Sequence, residues 1–225
     1  MKIKHLLPAS IKKIARNIQT QLGYAKWFKS CHYVENSICF YFDNIVHTCC
    51  YYGYIKKNGI LGKVNDPNLE NLIKKNKNRI FLSHRKGSHL GCHGCPCYRE
   101  NKWRQSEVIK HVVLNHFVSC NLRCIHCGYI NQAYKDTKHE DVLRVIKRLT
   151  DRGIISPSAT YDIGGGEPSI QRGHDDIMQY LIQCRHKTHL NSNGTNYVEL
   201  YSKGVNMGLI SLTLTPDAGS NSVYL

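Results

Sequence analysis

From residue 111 onward the chain alternates short apolar runs with amphipathic stretches of helical period, and few folds admit that pattern. HVVLNHFV (111–118) is rich in β-branched residues and reads as a strand. Residues 137–152 place Val142, Val145, Ile146 and Leu149 on one helix face, with Lys and Arg opposite and Gly153 as a stop. SATYDI (158–163) is a second strand, and 174–185 a second helix with Ile177, Met178, Leu181 and Ile182 inward. KTHLNSNGT (187–195) reads as a third strand and turn, 197–203 as a short helix, and LISLTLTPDAG (209–219) as a fourth strand. Strands separated by helices predict a parallel sheet with right-handed crossovers. In such sheets function gathers at the carboxyl ends of the strands. Four polar or glycine-rich motifs fall there: 120–127, 164–168, 193–195 and 215–217.

The first motif, CNLRCIHC, spaces Cys120, Cys124 and Cys127 so that a loop can wrap one corner of a cubane iron–sulfur cluster, one thiolate per iron. The fourth iron then stays open to a small molecule. Zinc is the alternative, and a structural zinc site closes with a fourth Cys or His. His126 is a poor fourth ligand, because its neighbour Cys127 would have to point the same way. Cys184, within the predicted second helix, reads as a small core residue. The second motif, Gly164-Gly165-Gly166-Glu167-Pro168, lets a ligand approach the backbone closely and stiffens the exit at Pro168. On the fourth strand Ser211, Thr213, Thr215 and Asp217 share one face by period two, with Leu212 and Leu214 on the other. Helices covering the outside favour a polar face turned inward.

Composition divides the 225 residues in two. Residues 1–110 hold 20 Lys and Arg against 6 Asp and Glu, while 111–225 hold 11 against 10. We therefore expect a basic, Cys-rich N-terminal region over 1–110 and a second unit over 111–225. A basic half can meet nucleic acid, an anionic lipid surface or an acidic partner. Lys rather than Arg dominates, and no basic–aromatic repeat is present, which favours a solvated lysine face. No apolar run reaches the length of a membrane helix, and no uninterrupted apolar stretch follows the first lysines. The expected location is the cytoplasm, where 11 cysteines point to metal ligation rather than disulfides.

Within 1–110, residues 9–22 have the pattern of a basic amphipathic helix and 68–76 that of a second helix. Residues 36–55 read as a β-hairpin around Asp43-Asn44, with Ile38, Phe40 and Phe42 on one face. Cys39 faces away from Phe40 as a free thiol. Cys31, one of the Cys49-Cys50 pair, and the GCHGCPC segment with Cys92, Cys95 and Cys97 can form a second metal site. Adjacent strand residues point to opposite faces, so only one of Cys49 and Cys50 should serve.

SCNLRCIHC and GGEP (165–168), on successive strands, resemble the radical S-adenosylmethionine (radical SAM) superfamily, and the resemblance covers 111–225. NSNGT and TPDAG look like its third- and fourth-strand motifs; His126 stands where the family usually has an aromatic. The resemblance implies an α/β fold, a partial (β/α) barrel of about four of six strand–helix units, preceded by a small Cys-rich α+β region. It implies a [4Fe–4S] cluster on Cys120, Cys124 and Cys127 whose open iron takes the amino and carboxylate groups of S-adenosylmethionine. Backbone groups of Gly165, Gly166 and Glu167, followed by Pro168, would hold the methionine amine; Thr215, with Asp217 or Asn193, would face the ribose. The implied activity is reductive cleavage of S-adenosylmethionine to a 5′-deoxyadenosyl radical, which abstracts hydrogen from a peptide or small metabolite. A one-electron donor such as flavodoxin or ferredoxin would drive this oxidoreductase or maturase. The chain ends just past the fourth strand, so we expect a fragment able to bind a cluster, with the pockets completed by later strands. The N-terminal cysteines look like a SPASM-type auxiliary cluster region placed before the barrel, with Cys31, Cys50, Cys92 and Cys95 as ligands of an auxiliary [4Fe–4S] cluster and Cys97 as alternate. The alternative from another class is a zinc-binding module whose basic half docks on nucleic acid.

Overall fold

The computed structural model describes residues 26–50, 52–104, 106, 108–124, 127–128, 133–196 and 198–215. The stretch 9–22, His126 and Asp217 lie outside them.

The strand–helix alternation is present as read. Strand β6 (Ile109–Asn115) leads through the cysteine loop to helix α4 (His139–Asp151) and strand β7 (Ile155–Ile163). Helix α5 (His174–Gln183), strand β8 (Thr188–Ser192), helix α6 (Glu199–Asn206) and strand β9 (Ile210–Leu214) follow. All four strands run parallel, in the order β6-β7-β8-β9. Val142, Val145, Ile146 and Leu149 of α4 and Ile177, Met178, Leu181 and Ile182 of α5 are buried against one face, as their helical period dictates. Cys184 is a correction. It is exposed and forms the C-cap of α5, because the helix ends at Gln183, two residues before the expected end at 185.

The N-terminal half holds five further strands and three helices among the described residues. They are β1 (Lys26–Ser30), α1 (His32–Asn36), β2 (Ser37–Tyr41), β3 (Ile45–His47), α2 (Tyr52–Ile55), β4 (Ile60–Lys63), α3 (Leu69–Arg85) and β5 (Arg99–Trp103). The hairpin around Asp43-Asn44 is there: β2 and β3 pair antiparallel, and both turn residues adopt left-handed φ of 56° and 59°. Asp and Asn tolerate that region better than most residues. Alternation alone did not show that β2 also pairs parallel with β6, Ser37 opposite His111 and Tyr41 opposite Asn115. One seven-stranded sheet, β4-β3-β2-β6-β7-β8-β9, therefore runs across residue 110. Ile38 and Phe40 join the main core, but Phe42 does not share their face. It lies just past the strand and packs with Cys39, Tyr41 and Val113 on the other side. A separate antiparallel ribbon joins β1 to β5, with Ser30 opposite Arg99.

The sheet has two chemically distinct faces. The helix side is apolar, with Val112, Leu114, Tyr161, Ile163 and Leu190 buried. The other side is largely polar from β6 to β9. There His111 faces Asp162 (3.2 Å) and Thr160 (3.0 Å), and His189 contacts Ser211 (2.9 Å) and Thr213 (3.2 Å). This is the polar face expected to turn inward. Leu212 and Leu214 take the opposite face and are partly exposed at the β9 edge.

Candidate active site at the carboxyl rim

The carboxyl ends of β6, β7, β8 and β9 converge on one cavity of about 350 Å³. Its walls include Cys120, Cys124 and Cys127, then Gly165, Gly166 and Glu167, then Asn193, then Thr215. Four motifs spread over nearly a hundred residues thus meet at one place. Pro168 does not line the cavity; it is buried and opens the short helical turn that carries the chain away.

Backbone pairing seats the cysteine loop. The N–H of Gly166 donates to the Phe117 carbonyl (3.0 Å) and that of Glu167 to the Ser119 carbonyl (3.0 Å). The glycines are required by contact. A Cβ on Gly165 (φ 108°) would lie 2.3 Å from the Phe117 oxygen, and one on Gly166 would lie 2.1 Å from the Ser119 oxygen. Both obstacles are backbone, so neither can move aside cheaply. Asp136, which the sequence reading passed over, accepts from the N–H of Val118 at 2.7 Å and from the Ser119 hydroxyl. Gln171 adds a bond from its side-chain amide to the Ser119 carbonyl (2.7 Å).

The side chain of Glu167 is a brace rather than part of an open ligand surface. It is 1 % exposed. One oxygen accepts from Ser169 N–H (3.0 Å), Ser169 Oγ (2.6 Å) and Ser192 Oγ (2.9 Å), and the other from Asn193 N–H (2.7 Å). The second-strand motif thereby fixes the third. Asn193 in turn donates to Asn121 (2.9 Å) and approaches Cys120 Sγ (3.8 Å), while Asn121 donates to Thr195 (2.7 Å). Thr215 is tied by its N–H to the Ser192 carbonyl (3.0 Å). Asn121, Asn191 and Ser192 were not singled out in the sequence. Their signal was position alone, polar residues flanking the motifs at strand ends.

Beneath the loop three histidines stack. Rings of His116 and His139 are 4.4 Å apart, those of His139 and His174 6.0 Å, and His174 bonds Tyr201 Oη (2.9 Å). Burial holds all three neutral: His116 is pushed well below its ordinary value, His139 down to about 4 and His174 down to about 3.

The N-terminal hairpin reaches the same rim. Asp43 N–H donates to the Lys135 carbonyl (2.8 Å), Thr137 Oγ donates to the Tyr41 carbonyl (2.9 Å), and Phe42 stacks on Tyr134 at 3.8 Å. Of the expected auxiliary ligands, Cys31, Cys92 and Cys95 are buried and Cys50 is half-buried. A hydrogen bond from Cys49, helped by one from Tyr33, holds the Cys50 thiol down to about 7. Cys39 is a free, fully buried thiol.

The cavity's donor set fits an iron–sulfur cluster. It offers three thiols and, among its described lining residues, no fourth thiol and no imidazole. A cubane held by three cysteines matches that set.

Residues 114–225 match the family model of the Radical SAM superfamily, and the chain belongs to that superfamily, whose members are enzymes. Among solved structures it is similar to Streptococcus suis SuiB bound to the precursor peptide SuiA (15% identity, TM-score 0.39, 65% of this chain and 39% of that one). It is also similar to SuiB bound to S-adenosylmethionine (14% identity, TM-score 0.40, 66% and 31%). The chain spans between about a third and two fifths of the length of these structures. No curated protein matches. No helix among the described residues is long and apolar enough to cross a membrane.

Proposed function

We propose that Cys120, Cys124 and Cys127 hold a [4Fe–4S] cluster and that S-adenosylmethionine binds in the cavity beside it, to begin hydrogen abstraction from a peptide or small metabolite. The carrying observation is that one cavity gathers three thiols, the Gly165–Gly166 backbone, Asn193 and Thr215. A cluster held there would supply one electron for the reductive cleavage of S-adenosylmethionine.

The chain's own residues do the placing. The N–H groups of Gly166 and Glu167 are engaged by the cysteine loop, so the carbonyls of Gly165 and Gly166 are the groups to receive the methionine amine. In this reading Asn193, Thr215 and Asp217 would face the ribose. Glu167 keeps Asn193 in place. The polar face carrying His111, Asp162, His189 and Thr213 would meet a hydrogen-bonding substrate. The protein would work in a reducing cytoplasm with an electron donor of the flavodoxin or ferredoxin type.

The test is anaerobic reconstitution with iron and sulfide, followed by reduction and assay for 5′-deoxyadenosine. Wild type should be brown and cleave S-adenosylmethionine, and the C120A/C124A/C127A variant should not cleave it. Cleavage by the triple variant, or a colourless protein with stoichiometric zinc, would overturn the reading.

A further inference from the structure

A larger cavity, of about 590 Å³, lies at the opposite end of the strands from the rim. It opens where β6 and β7 begin, between α3 and the turn that links α4 to β7. That volume is in the range of pockets that hold small organic molecules. Its cationic groups are Lys74, Lys77 and Arg152, and no carboxylate stands among its described lining residues. Glu70, which pairs with Arg152 (3.3 Å), also pairs with Arg148 (2.8 Å). One acid is thus shared by two guanidiniums, and the wall keeps a surplus of positive charge.

Lys77 stands apart from the other two. It is 4 % exposed, yet it lines the cavity. Lysine is seldom buried without a partner of opposite charge. Here Nζ donates to the Ser37 carbonyl (2.8 Å) and to the Tyr33 carbonyl of α1 (3.4 Å), and both acceptors are neutral. Glu35 acts on it less than the thiols of Cys39 and Cys31 do, and accepts from Arg104 N–H (3.0 Å). Burial pushes the amine down to about 8. An ammonium has three donors, and the two carbonyls leave one over. Beside these charges the wall is apolar: Ile73, Ile109 and Ile154 are buried along it.

We propose that this cavity binds a small organic anion, a carboxylate or phosphate monoester carried on an apolar body. The acid group would take the remaining donor of Lys77 together with Lys74 and Arg152, and the body would cover the isoleucines. A bound anion would tie α3, from the N-terminal half, to the turn before β7, from the C-terminal half. Lys77 would pass that tie inward, since the Ser37 carbonyl it holds begins β2, the strand bonded to β6. The site shares no residue with the rim cavity, so its occupancy is read without cluster chemistry.

Isothermal titration of the full-length chain with phenyl phosphate and with benzoate tests this, with benzyl alcohol as the neutral control. At least one acid should bind with a Kd below about 5 mM, and more tightly than the alcohol. The tighter acid identifies the headgroup. Lys77→Met, which keeps the stem and removes the charge, should weaken binding about tenfold or more, the loss of one bond between charged groups. Lys74→Gln alters an exposed side chain, so it decides the matter should Lys77→Met unfold; it should weaken binding roughly threefold. The proposal is overturned if neither acid binds below about 5 mM, if the alcohol binds as tightly, or if either folded variant binds as wild type does.

Discussion

Replacing Glu167 by Gln isolates one hydrogen bond in the brace. The two side chains have the same shape, and the Gln oxygen can keep the three donors of Ser169 and Ser192. The amide nitrogen then faces the backbone N–H of Asn193, where a 2.7 Å acceptor stood. A hydrogen bond to a charged acceptor is lost and two donors confront each other in a site 1 % exposed. Bonds to charged groups contribute about 1.5–3 kcal/mol, and an unsatisfied buried donor costs about 1–3 kcal/mol. We expect E167Q to lose roughly 2–3 kcal/mol. For a chain of this size that is a fall in Tm of roughly 4–12 °C. The measurement is urea unfolding of the metal-free protein, paired with equilibrium dialysis of S-adenosylmethionine against the reconstituted form. Affinity should fall as well, because Asn193 loses its anchor while every cysteine is untouched. Stability within about 0.5 kcal/mol of wild type would refute the argument that this carboxylate holds the third strand to the second.

Gly166→Ala should prevent the cysteine loop from seating, since its Cβ would meet the Ser119 carbonyl at 2.1 Å. Loss of both iron loading at the rim and S-adenosylmethionine binding is expected, measured by iron count and dialysis. The histidine stack makes stability depend on pH. His139 and His174 titrate near 4 and 3 in the folded chain against about 6.5 unfolded, so the unfolded state binds more protons below that value. Stability should therefore fall as pH drops from about 6.5 toward 4, by up to about 1.4 kcal/mol per pH unit for each histidine. His139→Phe, which keeps the stacking on Phe117 and removes a nitrogen with no partner, should flatten the urea midpoint between pH 6.5 and 4.5.

The C-terminal architecture was legible because each link is local. Apolar period marks α4 and α5, β-branched runs mark β6 and β7, and motifs at strand ends face one rim whenever strands are parallel. Ser211 and Thr213 fell on the polar face for the same reason. Glu167 shows the limit. Its motif marked only its backbone, while its side chain takes four donors from Ser169, Ser192 and Asn193, and only the third dimension brings Ser192 to it. The pairing of β2 with β6 was hidden likewise, since a parallel partner some seventy residues away leaves no mark on either strand. Phe42 illustrates how one step past a strand end turns a residue to the opposite face.

The β2–β6 pairing has a geometric consequence. In a closed cylinder of parallel strands the first strand bonds to the last. Here the flank of β6 that such closure would use is already bonded to β2, with β3 and β4 beyond it. β6 is therefore interior to the sheet, and among the described residues its edge strands are β4 and β9.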